Sequence, residues 1–211
     1  MSEQFLAEET GLARLVGARL VHDLAGPLGS VMAAAGLSGS AGESVPGARS
    51  DALLAETVGD LLARGRLYAA VFGAAEAVAA EEMPALLAGA PGAHRVQFEF
   101  AAGLDSHPAA FGQILLTAAM LAAEALPRGG KVTIAGGPGG GTVVLPDGRM
   151  AAWPHRLPER LGGLPPAQAD TARSLLVPWL LALAREAGCH VSLGLGSPGV
   201  PPMLLRPGRK S

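Results

Sequence analysis

Apolar residues in the first part of the chain recur at helical spacing. Five of them, four apart and then three apart, fall on one face of a helix. They are Val16, Leu20, Leu24, Leu28 and Val31. We predict one helix from about Phe5 to Leu37, because the same stretch lacks the alternation of a strand. A segment rich in glycine, serine and proline, residues 36 to 50, ends it and leads into the next element.

A second helix is predicted from about Ser50 to Ala79. Its small or apolar positions alternate between spacings of four and three, at Leu54, Val58, Leu61, Gly65, Tyr68 and Phe72. This seam is typical of nearly antiparallel helices in a bundle. Because a hairpin of two helices leaves part of such a seam uncovered, we infer that two copies form a four-helix bundle and that the chain is a homodimer. The alternative is that the C-terminal half of the chain covers the seam.

From residue 81 onward, strand and helix patterns alternate. HRVQFEF predicts a half-buried strand, and KVTIA and TVVLP predict a hairpin. Helices are predicted from Pro108 to Leu126 and from about Ala167 to Ala187, the latter with a kink or restart at Pro178. The first of these buries one face, formed by Phe111, Ile114, Leu115, Ala118, Leu121, Ala122 and Ala125. The strands CHVSLGL and PMLLRP follow.

The predicted fold class is therefore α+β, with two domains. Residues 1–80 form the helical hairpin of a dimeric four-helix bundle. Residues 81–211 form a small α/β sandwich of about five strands, with two main helices on one face.

Composition narrows the function classes. No apolar run reaches the roughly 18 residues of a membrane span, and MSEQFLAEET does not resemble a signal peptide, so we expect a cytoplasmic protein without membrane association. The 16 lysines and arginines are dispersed and aromatic residues make up 4%, which argues against nucleic-acid binding. The one cysteine, Cys189, cannot form an intramolecular disulfide, and we interpret it as a buried strand residue.

Other candidate sites are weak. Four of the five histidines show no metal-ligand spacing with one another or with Cys189, so no metal site is expected. They are His94, His107, His155 and His190. No serine lies in a G-x-S-x-G frame. The glycine-rich stretches GGPGGG and GLGSPG open no helix, and we interpret both as hairpin turns.

The stretch HDLAGPLGS, residues 22 to 30, carries the strongest chemical signal. On a helical wheel His22 lies about 200° from Leu20, so its imidazole is expected to face solvent. Asp23 is placed to orient or deprotonate the ring. Pro27 removes a backbone hydrogen bond and presses on the carbonyl of Asp23, which predicts a bend.

The surroundings of His22 are predicted to be flat. Its neighbours on that surface are Ala18, Arg19, Gly26 and Gly29, and apart from Arg19 they leave room for the active site of a partner protein. The alternative is an ordinary surface histidine. That interpretation leaves Pro27 unexplained, because a proline inside a helix costs about 3 kcal/mol.

HDLAGPLGS resembles the phospho-acceptor motif in the dimerising helical domain of histidine kinases. It is most similar to that of the ChpT-type histidine phosphotransferases, in which a His-Asp-Leu motif with a following proline opens the first bundle helix. RGRLYAAVFGAA, residues 64 to 75, is similar to the end of the second helix of that family. LLTAAMLAAEALPRGGKVTI, residues 115 to 134, resembles the core helix and strand of its C-terminal domain.

The resemblance implies a histidine phosphotransferase of a multistep phosphorelay. His22 would accept a phosphoryl group from the aspartate of a receiver domain in a hybrid histidine kinase and pass it to a response regulator. The receiver would supply magnesium and a lysine, so no cofactor is expected in this chain. His22 and Asp23 would be the catalytic pair. The implied receiver-docking residues are Ala18, Arg19, Gly26, Pro27, Gly29 and Ser30.

The competing hypothesis is an ATP-dependent histidine kinase. Thr117 and Leu121 stand where the kinases keep two asparagines, and a leucine cannot ligate magnesium. Asp147 lacks the glycines of the first nucleotide box, and AQADTARSL lacks a glycine-rich lid. The C-terminal domain therefore resembles a kinase ATPase fold without its nucleotide site. A third hypothesis is a non-catalytic adaptor that binds receivers.

Overall fold

The computed structural model describes residues 3–40, 47–101, 109–163, 170–195 and 199–208. Within these ranges the α-helices are α1 (Glu3–Ser40), α2 (Gly47–Phe72), α3 (Met83–Leu87), α4 (Ala109–Glu124), α5 (Arg156–Leu161) and α6 (Leu176–Glu186). The strands are β1 (Val96–Phe100), β2 (Gly130–Gly136), β3 (Thr142–Asp147), β4 (Cys189–Leu193) and β5 (Met203–Pro207). None of the described helices has the length and apolar character needed to cross a membrane.

The five strands form one mixed sheet in the order β1-β2-β3-β5-β4. β1 pairs with β2 in parallel, and the remaining neighbours are antiparallel. The predicted hairpin around GGPGGG is confirmed, with Gly139 and Gly140 in the left-handed region that favours glycine. In the second glycine-rich stretch, residues 196–198 lie outside the described ranges. The α+β class and the five predicted strands are thus confirmed.

The helix α4 lies at the centre of the core. Its predicted apolar face is buried, and the burial extends to every residue from Phe111 to Ala122. Helices α2 and α6 pack on it, and it also contacts β2, β3 and β5. A helix enclosed by a sheet and two helices is apolar all round rather than on one face. The described residues from Met83 to Pro207, here called the sheet domain, therefore have an apolar core centred on α4.

The helix α2 ends at Phe72, so its predicted extension to Ala79 is wrong. Its last carbonyls are satisfied by side chains of the sheet domain instead of by further helical turns. The carbonyl oxygen of Val71 accepts hydrogen bonds from Gln113 Nε2 at 3.0 Å and from Trp179 Nε1 at 2.9 Å. Gln113 Nε2 also donates to the carbonyl of Gly73 at 2.9 Å. This capping by distant side chains has no local sequence signal.

The helix α6 begins later than predicted. Residues 167–169 of the predicted helix lie outside the described ranges, and Ala172–Ser174 form a 3₁₀ turn before α6. Thr171 and Ser174 cap each other reciprocally at this turn. Pro178 lies in the first turn of α6, where a missing N–H removes no helical hydrogen bond. The prediction of a long helix with a kink or restart at Pro178 is therefore wrong for residues 170–175, which are not α-helical.

The helical hairpin of α1 and α2 is covered by the sheet domain at one end. Leu67, Tyr68 and Val71 near the end of α2 belong to the same buried core as α4. Farther along the hairpin, large apolar side chains are exposed, namely Val21, Leu28, Met32, Leu53 and Leu62. The C-terminal half thus covers part of the hairpin, and the remaining apolar surface of this single chain is open.

Candidate functional site

His22 and Asp23 lie in the middle of α1 and occupy different environments. The His22 side chain is 58% exposed, whereas that of Asp23 is 10% exposed. His22 Nδ1 lies 2.8 Å from Asp23 Oδ1. An ionised carboxylate only accepts hydrogen bonds, so Nδ1 carries the proton in this contact. The lone pair of the neutral ring is therefore on Nε2.

The second carboxylate oxygen of Asp23 is held from two sides. Oδ2 accepts hydrogen bonds from Arg19 Nε on the preceding turn of α1 and from the Tyr68 hydroxyl on α2. Partial burial alone would raise the pKa of Asp23, but the hydrogen bonds from Tyr68 and His22 and the charge of Arg19 hold it below its ordinary value. Burial and the contact with Asp23 raise the pKa of Tyr68. Asp23 is thus an ionised acceptor and Tyr68 a neutral donor.

Arg19 connects the hairpin to the sheet domain. Its Nη2 donates to Glu124 Oε1 at the end of α4 at 2.8 Å, and its Nη1 donates to the carbonyl of Ala172 at 3.3 Å. Arg19 is only 6% exposed, so the expectation that it lies on the outer surface beside His22 is wrong. The guanidinium turns towards Asp23 and Glu124, because two carboxylates compensate its burial. Burial raises the pKa of Glu124, and Arg19 only partly opposes that rise.

Pro27 leaves the backbone carbonyl of Asp23 without its usual helical partner. In a continuous helix the N–H of residue 27 would donate to the carbonyl of residue 23, and proline has no N–H. The helix α1 nevertheless continues through Pro27 to Ser40. Arg64 on α2 donates from Nη1 to the Asp23 carbonyl at 3.0 Å. A side chain from the second helix thus takes the place of the missing N–H.

The other residues expected around His22 lie at the surface of α1. Ala18, Gly26, Gly29 and Ser30 are exposed, and Pro27 is half-buried. A Cβ atom at Gly26 or Gly29 would meet no neighbouring atom within 4 Å. Packing within this chain therefore does not require glycine at either position.

Three residues stand at positions that were compared with the nucleotide-binding residues of histidine kinases. They are Thr117, Leu121 and Asp147. Thr117 and Leu121 are both buried in α4, and the Thr117 hydroxyl donates to the carbonyl of Gln113 at 2.7 Å. Asp147 is exposed at the end of β3.

The remaining histidines and the cysteine lie elsewhere. His94, His155 and His190 are exposed, and His107 falls outside the described ranges. Cys189 is buried in β4, as expected, and burial raises the pKa of its thiol. Over the described residues, no three His, Cys, Asp or Glu side chains are grouped so that they could hold a metal ion.

Three residues of the site were missed by sequence reasoning. Glu124 and Arg64 received no role, and Tyr68 was placed only on the apolar seam of α2. A tyrosine at a seam position has a signal that could have been used, because a buried hydroxyl needs a polar partner. Arg64 lies four residues before Tyr68 and so shares its side of α2.

Comparisons with known proteins identify the family of the chain and its fold. The family model described as "Histidine phosphotransferase C-terminal domain" matches residues 80–197. A solved structure described as the 1.7 Å structure of a bacterial phosphotransferase superposes with a TM-score of 0.75 at 21% identity, covering 97% of this chain and 96% of that chain.

A crystal structure of full-length ShkA in complex with AMPPNP gives a TM-score of 0.39 at 20% identity, covering 97% of this chain and 45% of that chain. Among curated protein sequences, none matches. The family model covers more than half of the chain, and the chain therefore belongs to the ChpT-type histidine phosphotransferases.

Proposed function

We propose that His22 accepts a phosphoryl group from the phosphoaspartate of a receiver domain and passes it to the aspartate of a response regulator. The donor would be the receiver domain of a hybrid histidine kinase. The observation that carries this proposal is the exposed imidazole whose Nδ1 is held by Asp23 at 2.8 Å, in a chain of this family.

The transfer exchanges one bond for another. The lone pair of Nε2 attacks phosphorus, a P–N bond forms, and the P–O bond to the receiver aspartate breaks with release of its carboxylate. The ring, still protonated on Nδ1, becomes positively charged, and the Asp23 carboxylate stabilises that charge. In the second transfer the P–N bond breaks, a P–O bond to the next aspartate forms, and Nε2 regains its lone pair. No proton has to leave Nδ1 in either step.

The surface around His22 supports docking of a receiver. Ala18, Gly26, Gly29 and Ser30 are exposed on α1, and both glycines have free space where a side chain would stand. Alignment of the reacting groups supplies much of the rate in phosphoryl transfer. The magnesium ion and the lysine would belong to the receiver.

We also propose that the hairpin pairs with a second copy. Exposed Leu28, Met32, Leu53 and Leu62 on α1 and α2 support a four-helix bundle, since a further pair of helices would bury them. A dimeric mass at micromolar concentration is expected. A monomeric mass would contradict this part of the proposal.

The phosphoryl group is proposed to come from a partner and not from ATP bound to the same chain. Support comes from α4, where Thr117 and Leu121 are buried at the positions compared with the kinase asparagines. Leu121 offers no oxygen to magnesium, and the buried Thr117 hydroxyl is bonded to the carbonyl of Gln113 at 2.7 Å.

The experiment mixes the full chain with a phosphorylated receiver and follows acid-labile phosphate. We expect transfer to the parent and none to His22→Gln. Equal acceptance by both chains would overturn the proposal. Receiver binding without transfer would favour the adaptor hypothesis, and labelling by ATP alone would favour the kinase hypothesis.

A docking variant sharpens the same experiment. Gly26→Leu places a side chain about 6 Å along α1 from His22 and about 40° to one side of it, and Gly36→Leu places the same side chain about 21 Å away and about 40° to the other side. Both glycines have free space in the single chain. We expect Gly26→Leu to weaken transfer at least about tenfold and Gly36→Leu to leave it near the parental value, because only the former occupies the docking surface. Equal effects would place the docking surface elsewhere.

A further inference from the structure

Pro27 and Arg64 form a matched pair across the helical hairpin. Pro27 takes away the N–H that would bind the Asp23 carbonyl, and Arg64 Nη1 donates to that carbonyl at 3.0 Å. The two residues lie on different helices, and Arg64 is 41 positions from Asp23 in sequence. A carbonyl left without a donor in a partly buried site carries a desolvation cost, and a charged donor removes it.

The Asp23 backbone and side chain are therefore held by separate groups. Arg19 and Tyr68 donate to the carboxylate, and Arg64 donates to the main-chain carbonyl. The carboxylate in turn holds His22 Nδ1. A shift of the Asp23 backbone would change the direction in which the carboxylate meets the ring, even with Arg19 and Tyr68 in place.

Among the described residues, Arg64 has one hydrogen-bond partner, the carbonyl of Asp23. Its Nε is buried without a partner, so the contact with the Asp23 carbonyl is the one that orients the guanidinium. The side chain also walls a groove of about 490 Å³ between α1 and α2, together with Pro27, Ser30 and Thr57. The Arg64 guanidinium thus reaches from α2 to the backbone of α1 one turn before Pro27.

We propose that Arg64 is a positioning residue for phosphotransfer, acting as the substitute donor for the N–H that Pro27 lacks. This inference rests on the proposed function of His22. Arg64 fixes the backbone of Asp23 and, through Asp23, the orientation of the His22 ring. It does not touch the reacting atoms.

A double-mutant cycle tests the pairing. In Pro27→Ala the N–H of residue 27 returns and can bind the Asp23 carbonyl, so Arg64 becomes redundant for that bond. At saturating receiver we expect Arg64→Gln to slow transfer about tenfold in the parent and less than about threefold in the Pro27→Ala background, each variant compared with its own background. Arg64→Lys, which keeps a charged donor, should recover part of the rate. The receiver concentration for half-maximal rate should change little.

Equal slowing in the two backgrounds would overturn the inference, because Arg64 would then act through charge or packing alone. An unchanged rate in Arg64→Gln would overturn it as well. Circular dichroism of the four chains verifies that each is folded before rates are compared.

A second measurement needs no receiver and separates this inference from the proposed function. Nitrogen NMR of the His22 ring reports the hydrogen-bonded Nδ1–H directly. Arg64→Gln should shift or broaden that signal in the parent background and leave it nearly unchanged with Ala at position 27. If the parent accepts no phosphate, the proposed function fails, and this signal still decides whether Arg64 positions the pair. An identical shift in both backgrounds, or none in either, contradicts the inference.

Discussion

The helical hairpin and the sheet domain differ in which kinds of side chain they bury. In the sheet domain, α4 is buried from Phe111 to Ala122 and packs against helices and strands with apolar side chains. In the hairpin, apolar side chains such as Met32 and Leu62 are exposed, while Arg19 is buried and Asp23 nearly so. The apolar core around α4 is buried within a single chain. The hairpin carries the His22–Asp23 pair and leaves large apolar side chains exposed.

The two regions meet through Arg19. Its guanidinium contacts Glu124 at the end of α4 and the carbonyl of Ala172 before α6, while its Nε holds Asp23. The sheet domain thus contacts the His22–Asp23 pair indirectly, through the polar contacts of Arg19. This comparison indicates that apolar substitutions should act on the fold in the sheet domain, and polar substitutions should act on the site in the hairpin.

The largest effect is expected from a matched pair of leucines. Leu116 is fully buried in α4 and Leu62 is exposed on α2. Leu116→Ala should lower the free energy of unfolding by about 2–5 kcal/mol, and Leu62→Ala should change it by less than about 0.5 kcal/mol at concentrations where the chain is monomeric. Urea unfolding followed by circular dichroism measures both. Similar losses of unfolding free energy for the two variants would contradict the proposed difference between the sheet domain and the hairpin.

Tyr68→Phe should have the next largest effect. It removes a donor to Asp23 Oδ2 and retains the aromatic packing of Tyr68 against Phe72. We expect a loss of about 1–3 kcal/mol in the free energy of unfolding and slower phosphotransfer, because a nearly buried carboxylate loses one hydrogen bond. Phe72→Leu is the control, since it disturbs the same ring contact without touching Asp23. If Tyr68→Phe has the stability and the phosphotransfer rate of the parent, the Tyr68 hydroxyl does not contribute to the site.

The pH dependence of stability should reveal the lowered pKa of Asp23. A carboxyl whose pKa is lower in the folded than in the unfolded chain contributes stability above the unfolded value, near 3.9, and loses it as the pH falls through the folded value. The difference in unfolding free energy between the parent and Asp23→Asn should therefore be constant from pH 7 to about pH 4 and shrink below that. A difference that shrinks between pH 7 and pH 5 would contradict the lowered pKa.

The smallest effect is expected for Glu124→Gln. Burial raises the pKa of Glu124 despite Arg19, so the folded chain disfavours its charge and a neutral amide is tolerated. We expect a change of less than about 1 kcal/mol at pH 7, because Asp23 still pairs with Arg19 and the amide oxygen can accept the same hydrogen bond from Arg19 Nη2. For a raised carboxyl pKa, stability falls as the pH rises above about 4.3, and this slope should be weaker in Glu124→Gln than in the parent. A loss above about 3 kcal/mol would show that the Arg19–Glu124 pair dominates the contact between the two regions.

The adjacent pair His22–Asp23 could be predicted because its contact is local. The helix period of α1 places His22 outside, and the carboxylate next to it needs no tertiary information. The strands of the sheet domain were predictable for the same reason, since their alternation and turn residues are local signals.

The rest of the site depends on which residues of distant elements meet. Arg19 was expected outside from its angle on the wheel, but a long guanidinium can turn inward towards Asp23 and Glu124 when a second domain covers it. Arg64 replaces an N–H that the sequence showed to be missing, yet its identity depends on the register between α1 and α2. The end of α2 at Phe72 depends likewise on Gln113 and Trp179, which lie 40 or more residues away.

The most direct measurement identifies the source of the phosphoryl group on His22. The parent chain is incubated in parallel with ATP and magnesium alone and with a phosphorylated receiver, and the peptide containing His22 is examined by mass spectrometry under conditions that preserve phosphohistidine. We expect the phosphoryl group on His22 only after exposure to the receiver, and its loss when an unphosphorylated response regulator is added. Phosphate on His22 from ATP alone, or none from any phosphorylated receiver of the source cell, would contradict the proposed role.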